Sequence, residues 1–152
     1  MLIFVVAAPA GATVYYVSPT GNDALSGLTP AEAWGSIDNR SDTTLDSGYV
    51  VPGDTINILP GTYSISVPIS LIIAGTESAP IVYRGFGGRP LISTEVPIGE
   101  LIAIDGSFIN LENIEFSGAG KIGILVRADS SIISGCHILD IDGNAIQVEG
   151  SD

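Results

Sequence analysis

Positive charge is scarce in this chain: 5 Lys and Arg stand against 17 Asp and Glu in 152 residues, a formal net charge of -12. Nucleic acids and anionic membrane surfaces are held by clusters of basic side chains, so this balance excludes both as partners and makes a cation such as calcium the natural one. Cysteine is nearly absent as well. The lone Cys136 excludes an internal disulfide framework, and with a lone His137 there is no Cys-His spacing for zinc. Charged residues make up only 14% of the chain, against about 25% in an ordinary globular domain, while 45% are hydrophobic. That deficit excludes a disordered chain and asks for a packed interior. The apolar run Leu2 to Ala10 is far shorter than the roughly 20 residues a bilayer-spanning helix needs.

What is abundant is β-branched. The chain holds 22 Ile and 11 Val against 11 Leu, and such side chains are stiff in helices but pack well on pleated surfaces. With 19 Gly and 9 Pro as punctuation, the composition predicts many short strands.

The first residues read as the remnant of a secretory signal peptide over 1–12. The run to Ala10 is followed by Ala10-Gly11-Ala12, an A-x-A pattern before Thr13, although no positive n-region precedes it. An ordinary buried first strand continuing into Val14 to Val17 is the competing reading. The domain is then 13–152 and extracellular. Residues 18 to 30 crowd turn formers into a long ordered loop, after which Thr29-Pro30-Ala31-Glu32 has the capping-box pattern and predicts a short capping helix. Trp34 and Ile37 fall on one face of it, suited to covering the open end of a stack of strands. From Val50 onward the expected strands include Ile56 to Ile58 alternating around Asn57, Ile69 to Ala74, Ile81 to Arg84 and Leu91 to Ser93.

The last third repeats with a period of twenty-two residues. Ile102 matches Ile124 and Ile146, Ile104 matches Val126 and Val148, Leu111 matches Ile133, Ile114 matches Cys136, and Phe116 matches Ile138. A parallel solenoid requires this, because each turn lies about 4.8 Å above the last and inward positions must stay apolar in every turn. Reading Asp105-Gly106 and Asp142-Gly143 as hairpin turns of an antiparallel sheet leaves the fixed spacing unexplained. A leucine-rich repeat is disfavoured by the scarcity of Leu. The fold class is therefore all-β, a right-handed parallel β-helix. Because Glu149 to Asp152 follow directly on a rung strand with no polar cap, further rungs are expected beyond them.

Tyr16-Val17-Ser18-Pro19-Thr20-Gly21-Asn22-Asp23, Gly27-Leu28-Thr29-Pro30, Pro52-Gly53-Asp54-Thr55-Ile56, Pro60-Gly61-Thr62-Tyr63, and Gly75-Thr76 with Ala79-Pro80-Ile81 resemble the N-terminal region of the pectate-lyase-like superfamily. With the rungs, the resemblance covers roughly residues 15 to 152. It implies the cap and first rungs of a secreted protein acting on polysaccharide, by β-elimination on uronate glycans in its lyase members. It also implies that catalytic residues lie on later rungs, and fold alone does not give a reaction.

Strand alternation sets Asp105, Arg127 and Glu149 outward, one per rung, as an acid-base-acid ladder. A surface salt-bridge stack is the plain reading. In a lyase, Arg127 is the candidate base, though flanking acids oppose the loss of its proton, and Lys121, placed in a turn before Ile122, is the second catalytic candidate. Asp105 and Glu149 are candidates for substrate contact. As a hydrolase pair they would stand two rungs or about 9.6 Å apart, with Arg127 obstructing the water between them. Asp140 and Asp142 beside a turn, and Asp23 next to Asn22 in the N-terminal loop, are candidate calcium ligands or simply turn residues. His137 is expected outward and Cys136 inward beneath Ile114. One of Tyr15 and Tyr16 is expected outward, where it suits stacking on sugar. A non-catalytic extracellular scaffold or adhesin-like module is the reading from another class.

Overall fold

The computed structural model describes residues 11–39 and 50–150. Residues 1–10, on which most of the leader reading falls, lie outside that set. Among the described residues eleven strands follow in order: β1 (Val14–Val17), β2 (Thr55–Ile58), β3 (Thr62–Ser64), β4 (Ile69–Leu71), β5 (Ile81–Gly85), β6 (Leu91–Ile104), β7 (Ile109–Glu112), β8 (Glu115–Val126), β9 (Ile132–Ser134), β10 (His137–Ile141) and β11 (Asn144–Val148). Every strand pairing between them is parallel. The chain coils into a β-solenoid of about 4 turns.

Its walls follow from the pairing. The first is β1, β2, β5, β7 and β9 in that order. The second stacks β3, the first part of β6, the first part of β8, and β10, while the third stacks β4, the later parts of β6 and β8, and β11. The twenty-two-residue spacing is the register itself: Ile102 pairs with Ile124 and Ile124 with Ile146, while Ile104 pairs with Val126 and Val126 with Val148. Leu111 over Ile133 and Phe116 over Ile138 complete the predicted columns. The backbone repeats too. Phe108 and Ser130, Asn113 and Gly135, and Gly118 and Asp140 all have positive φ, one pair at each corner of the coil, with the members of each pair one period apart.

Apolar columns fill the interior: Ile56, Tyr83 and Leu111 from the first wall, Tyr63, Ile92 and Phe116 from the second, and Ile69, Ile102 and Ile124 from the third. Removing each such side chain from water is worth about 1.5–3 kcal/mol. Asp54 is also buried and is fully used, its two carboxylate oxygens accepting from the backbone N–H groups of Thr13 and Val51.

The N-terminal cap differs from expectation. In place of a capping helix there is one 3₁₀ turn, Pro30–Glu32, with the Thr29 hydroxyl accepting from the Glu32 N–H as the capping pattern implies. The carboxylate of Glu32 instead accepts from Ser26. A helix would commit the Trp34 N–H to the carbonyl of Pro30. Here it donates to the Tyr16 carbonyl, and the Trp34 carbonyl accepts from the Ser18 N–H, so the segment extends and bridges to Val17 in parallel. Trp34 and Ile37 are buried as expected, but Trp34 lies in an extended strap bridged to the edge of β1 and Ile37 in the turn that follows it. Asp23 ties the strap down by accepting from the backbone N–H groups of Gly35 and Ser36 and from the Ser36 hydroxyl. Gly27 has φ 72 and its Cα meets the Trp34 ring so closely that an added Cβ would lie 2.4 Å from it.

Candidate functional site

The outward residues at the end of the third wall form the expected ladder. The Arg127 guanidinium donates to Asp105 at 3.1 Å and to Glu149 at 3.2 Å, from the rungs on either side. A third carboxylate joins them: Glu100 lies 3.8 Å from Arg127. Counting from Ile102 by alternation turns Glu100 inward, which is why the sequence reading missed it. Leu101 and Ile102 are consecutive and both belong to the core, so alternation breaks there and Glu100 reaches the outer face. Beyond Glu149 the network continues through Gln147, which donates to Glu149, and Asn144, which donates to Gln147.

Chemically this is a closed cluster. The hydrogen bond to Asp105, reinforced by Glu149 and by the charges of Asp105 and Glu100, holds the Arg127 guanidinium above its ordinary pKa against a smaller desolvation effect. Arg127 therefore stays a cation and has no lone pair to take a proton. Three carboxylates around one guanidinium leave surplus negative charge, which repels a uronate. Asp105 and Glu149 are each used in holding Arg127.

The other candidates stand apart from the ladder. Lys121 sits within β8 and not in a turn, because the strand runs unbroken through the corner to pair with β6 and β11; it is exposed and makes no ion pair among the described residues. Asp140 has φ 52 at a corner, and the Asp142 backbone N–H donates to Gly120. Asp23 spends both carboxylate oxygens on the cap. Among the described residues no group of three or more His, Cys, Asp or Glu converges on one point, so these residues do not build the cage of six to eight oxygens that calcium takes.

Two further outward groups lie along the edge between the first and second walls. On the first wall Tyr16, Asn57, Arg84 and Glu112 are successive register partners. Alternation places Asn57 outward, and it is, yet it is buried, because Arg84 lies across it and donates to its carbonyl at 2.8 Å. The Arg84 guanidinium also lies 5.9 Å from the centroid of Phe86, whose exposed ring meets Tyr16 edge-on at 6.1 Å. Tyr15 is the inward member of the tyrosine pair and stacks on Trp34 at 4.5 Å.

The second group is Arg89, Asn113, Glu115 and His137, from three successive rungs. Arg89 donates through Nη1 to His137 Nδ1 at 3.0 Å and through Nε to the Asn113 side-chain oxygen at 3.3 Å. Glu115 lies 3.8 Å from the same imidazole nitrogen. His137 is outward as expected. The signal for this group was legible, since His137 is one period below Glu115, but Arg89 sits in a loop outside the period.

Cys136 packs inward and donates weakly to the Leu111 carbonyl at 3.7 Å. Burial pushes its thiol pKa up, only partly opposed by backbone hydrogen bonds and by Arg89. A raised acid pKa favours the protonated form in the folded state, so this contribution to stability is present below the thiol's unfolded value and is lost as pH rises past it. Alkylation of Cys136 by iodoacetamide at pH 7.5 is therefore expected to run at least about tenfold slower in the folded chain than in urea. Equal rates would mean that the thiol is open to solvent.

Compared with family models and with curated proteins, the chain finds no match. Among solved structures, it is similar to the GH136 lacto-N-biosidase from Eubacterium ramulus, with TM-score 0.72, 20% identity, and coverage of 92% of this chain and 31% of that one. It is also similar to a rhamnogalacturonan lyase, with TM-score 0.71, 18% identity, and coverage of 86% and 37%. Pectate lyase Pel9A matches with TM-score 0.68, 21% identity, and coverage of 90% and 38%. The shared feature is the pectate-lyase-like parallel β-helix fold. The chain spans about a third of the length of each of these structures.

Proposed function

We propose that this chain is the cap and first rungs of a secreted, right-handed β-helix that acts on polysaccharide, of the lyase type that eliminates across uronate linkages. The observation that carries the reading is the outer edge between the first and second walls. Tyr16 and Phe86 offer aromatic rings beside the Arg84 guanidinium, and Arg89 follows Phe86 in the same loop with its own fixed donors, the combination of flat apolar faces and fixed polar groups that sugar rings require. It is supported by the fold shared with proteins named as a rhamnogalacturonan lyase, a pectate lyase and a lacto-N-biosidase. Right-handed coiling is the hand that parallel β crossovers take in nearly all proteins.

Elimination needs a group that neutralises the uronate carboxylate and a base for the α proton. Within this segment Arg127 supplies neither, since its charge is spent on three carboxylates. In this reading the base comes from rungs outside the 152 residues, and calcium is an ion shared between glycan carboxylates and the exposed pair Asp140 and Asp142. The closed Arg127 cluster favours a second reading, a non-catalytic extracellular scaffold. Incubating the intact protein as it is encoded with alginate, pectate and chondroitin, with and without chelator, separates the two. A rise in ultraviolet absorbance from unsaturated uronate on at least one substrate, lost with chelator, is the expected result. No absorbance but new reducing ends would indicate a hydrolase, and neither would leave the scaffold.

A further inference from the structure

The group on the second wall has a property the ladder lacks. A guanidinium has only donors, so the contact between Arg89 and His137 at 3.0 Å requires Nδ1 of the imidazole to accept. The proton of the neutral ring is then on Nε2. His137 is exposed, so this second donor is available to solvent beside a guanidinium that has spent only its Nη1 and Nε groups. Arg89 forms no ion pair with any carboxylate among the described residues, Glu115 included. In a chain of net charge -12 this is an oriented cation in no direct ion pair with a carboxylate among the described residues, the single carboxylate of the group, Glu115, standing 3.8 Å from the shared imidazole nitrogen.

Its orientation is fixed from behind. Asn113 holds Arg89 Nε through its side-chain oxygen, and the nitrogen of the same amide donates to the carbonyls of Gly85 at 3.3 Å and Gly88 at 3.4 Å. Asn113 itself sits in a left-handed corner with φ 55, locked between the stacked rungs. A preset guanidinium loses little rotamer freedom on binding, and its planar fork matches a carboxylate. Three residues before it, in the same loop, stands Phe86 with its ring exposed, its Cα at most about 11 Å from that of Arg89.

We propose that Arg89 and His137 form a subsite for the carboxylate of a uronate residue, with Phe86 as a platform for a neighbouring sugar ring of the same chain. The proposal rests on the polysaccharide reading above and assigns the anionic contact to the second wall instead of the third, where the carboxylates around Arg127 repel such a ligand. The loop 86–90 carries both contacts, so the glycan crosses the edge between the first and second walls.

The test is calorimetric binding of galacturonate oligomers, of the same oligomers methyl-esterified, and of a neutral oligosaccharide, at low ionic strength. The acidic oligomer is expected to bind and its methyl ester to bind about tenfold more weakly, since the charge-assisted contact is lost. Arg89→Gln should weaken the acidic oligomer by about tenfold with little effect on the ester, and His137→Gln by a few-fold. Phe86→Ala should weaken both forms. Arg89→Lys keeps the charge without the fork and should fall between the parent and Arg89→Gln; melting curves matching the parent confirm that each variant is folded. If the parent binds the acidic oligomer and both the Arg89 and His137 variants bind it equally well, the subsite is wrong and the polysaccharide reading survives. If the parent binds none of the three ligands, both fall together.

Discussion

Ile124→Ala is expected to destabilise a chain of these 152 residues by about 2–5 kcal/mol, whereas Ile146→Ala, in the same column, should cost less than about 1 kcal/mol. The residue type and the register are the same, and only the position in the stack differs. Ile124 is 0% exposed, with Ile102 paired above it and Ile146 below. Removing its outer carbons leaves a cavity that neither neighbouring rung can close, since the rungs are held apart by their own ladder hydrogen bonds. Ile146 is 45% exposed on the last described rung, and the far edges of β9, β10 and β11 pair with nothing among the described residues. Truncating it exposes little that was not already wet. In a solenoid, stability is close to a sum over neighbouring rung interfaces, so Ile124 weakens two interfaces and Ile146 one. Urea unfolding followed by circular dichroism and by the fluorescence of the single tryptophan, Trp34, reads both variants. Equal losses would mean that the column does not terminate in an open rung.

The stack was legible because its physics is periodic. An inward position must be apolar in every turn, so Ile102, Ile124 and Ile146 announce themselves by spacing alone, and the pairing confirms them residue by residue. The cap was less legible because it depends on competition between local and distant partners. Thr29 to Glu32 carries a real helix-start signal, and its first hydrogen bond forms, yet the Trp34 N–H finds the Tyr16 carbonyl and the helix stops after one turn. Site residues were legible where they sat in phase, as with Asp105, Arg127 and Glu149, and invisible where the phase broke, as with Glu100 beside the consecutive core residues Leu101 and Ile102. Arg89 and Asn113 were missed for a different reason. Their partnership joins a loop to a strand corner in the next rung, and no pattern within either segment predicts it. Asp23 shows the converse: a residue whose type suits calcium is consumed by three hydrogen bonds within the cap.

Gly118→Ala should cost at least about 3 kcal/mol, while Asp140→Gly, one period further on at the equivalent corner, should change stability by no more than about 1 kcal/mol. Gly118 has φ 120, a region L side chains rarely adopt, and a Cβ there would lie 2.1 Å from the Thr94 carbonyl oxygen of the rung above. That carbonyl cannot retreat, because Thr94 is itself buried and bonded through its hydroxyl to both the N–H and the carbonyl of Val96. The substitution must either force the two rungs apart or twist the corner, and each breaks parallel pairing on the way to the third wall. Asp140 turns the same corner at φ 52, within the left-handed region that Asp tolerates. Glycine fits that conformation without strain, and what Asp140→Gly removes is the carboxylate. The pair of variants therefore separates geometry from ligand chemistry at one site. Thermal unfolding of both, repeated with added calcium, should show Gly118→Ala melting well below the parent under all conditions. If the exposed Asp140 and Asp142 pair holds the ion, calcium raises the melting temperature of the parent and leaves that of Asp140→Gly unmoved; an equal calcium response in both would remove Asp140 from any metal site and leave it as a corner residue alone.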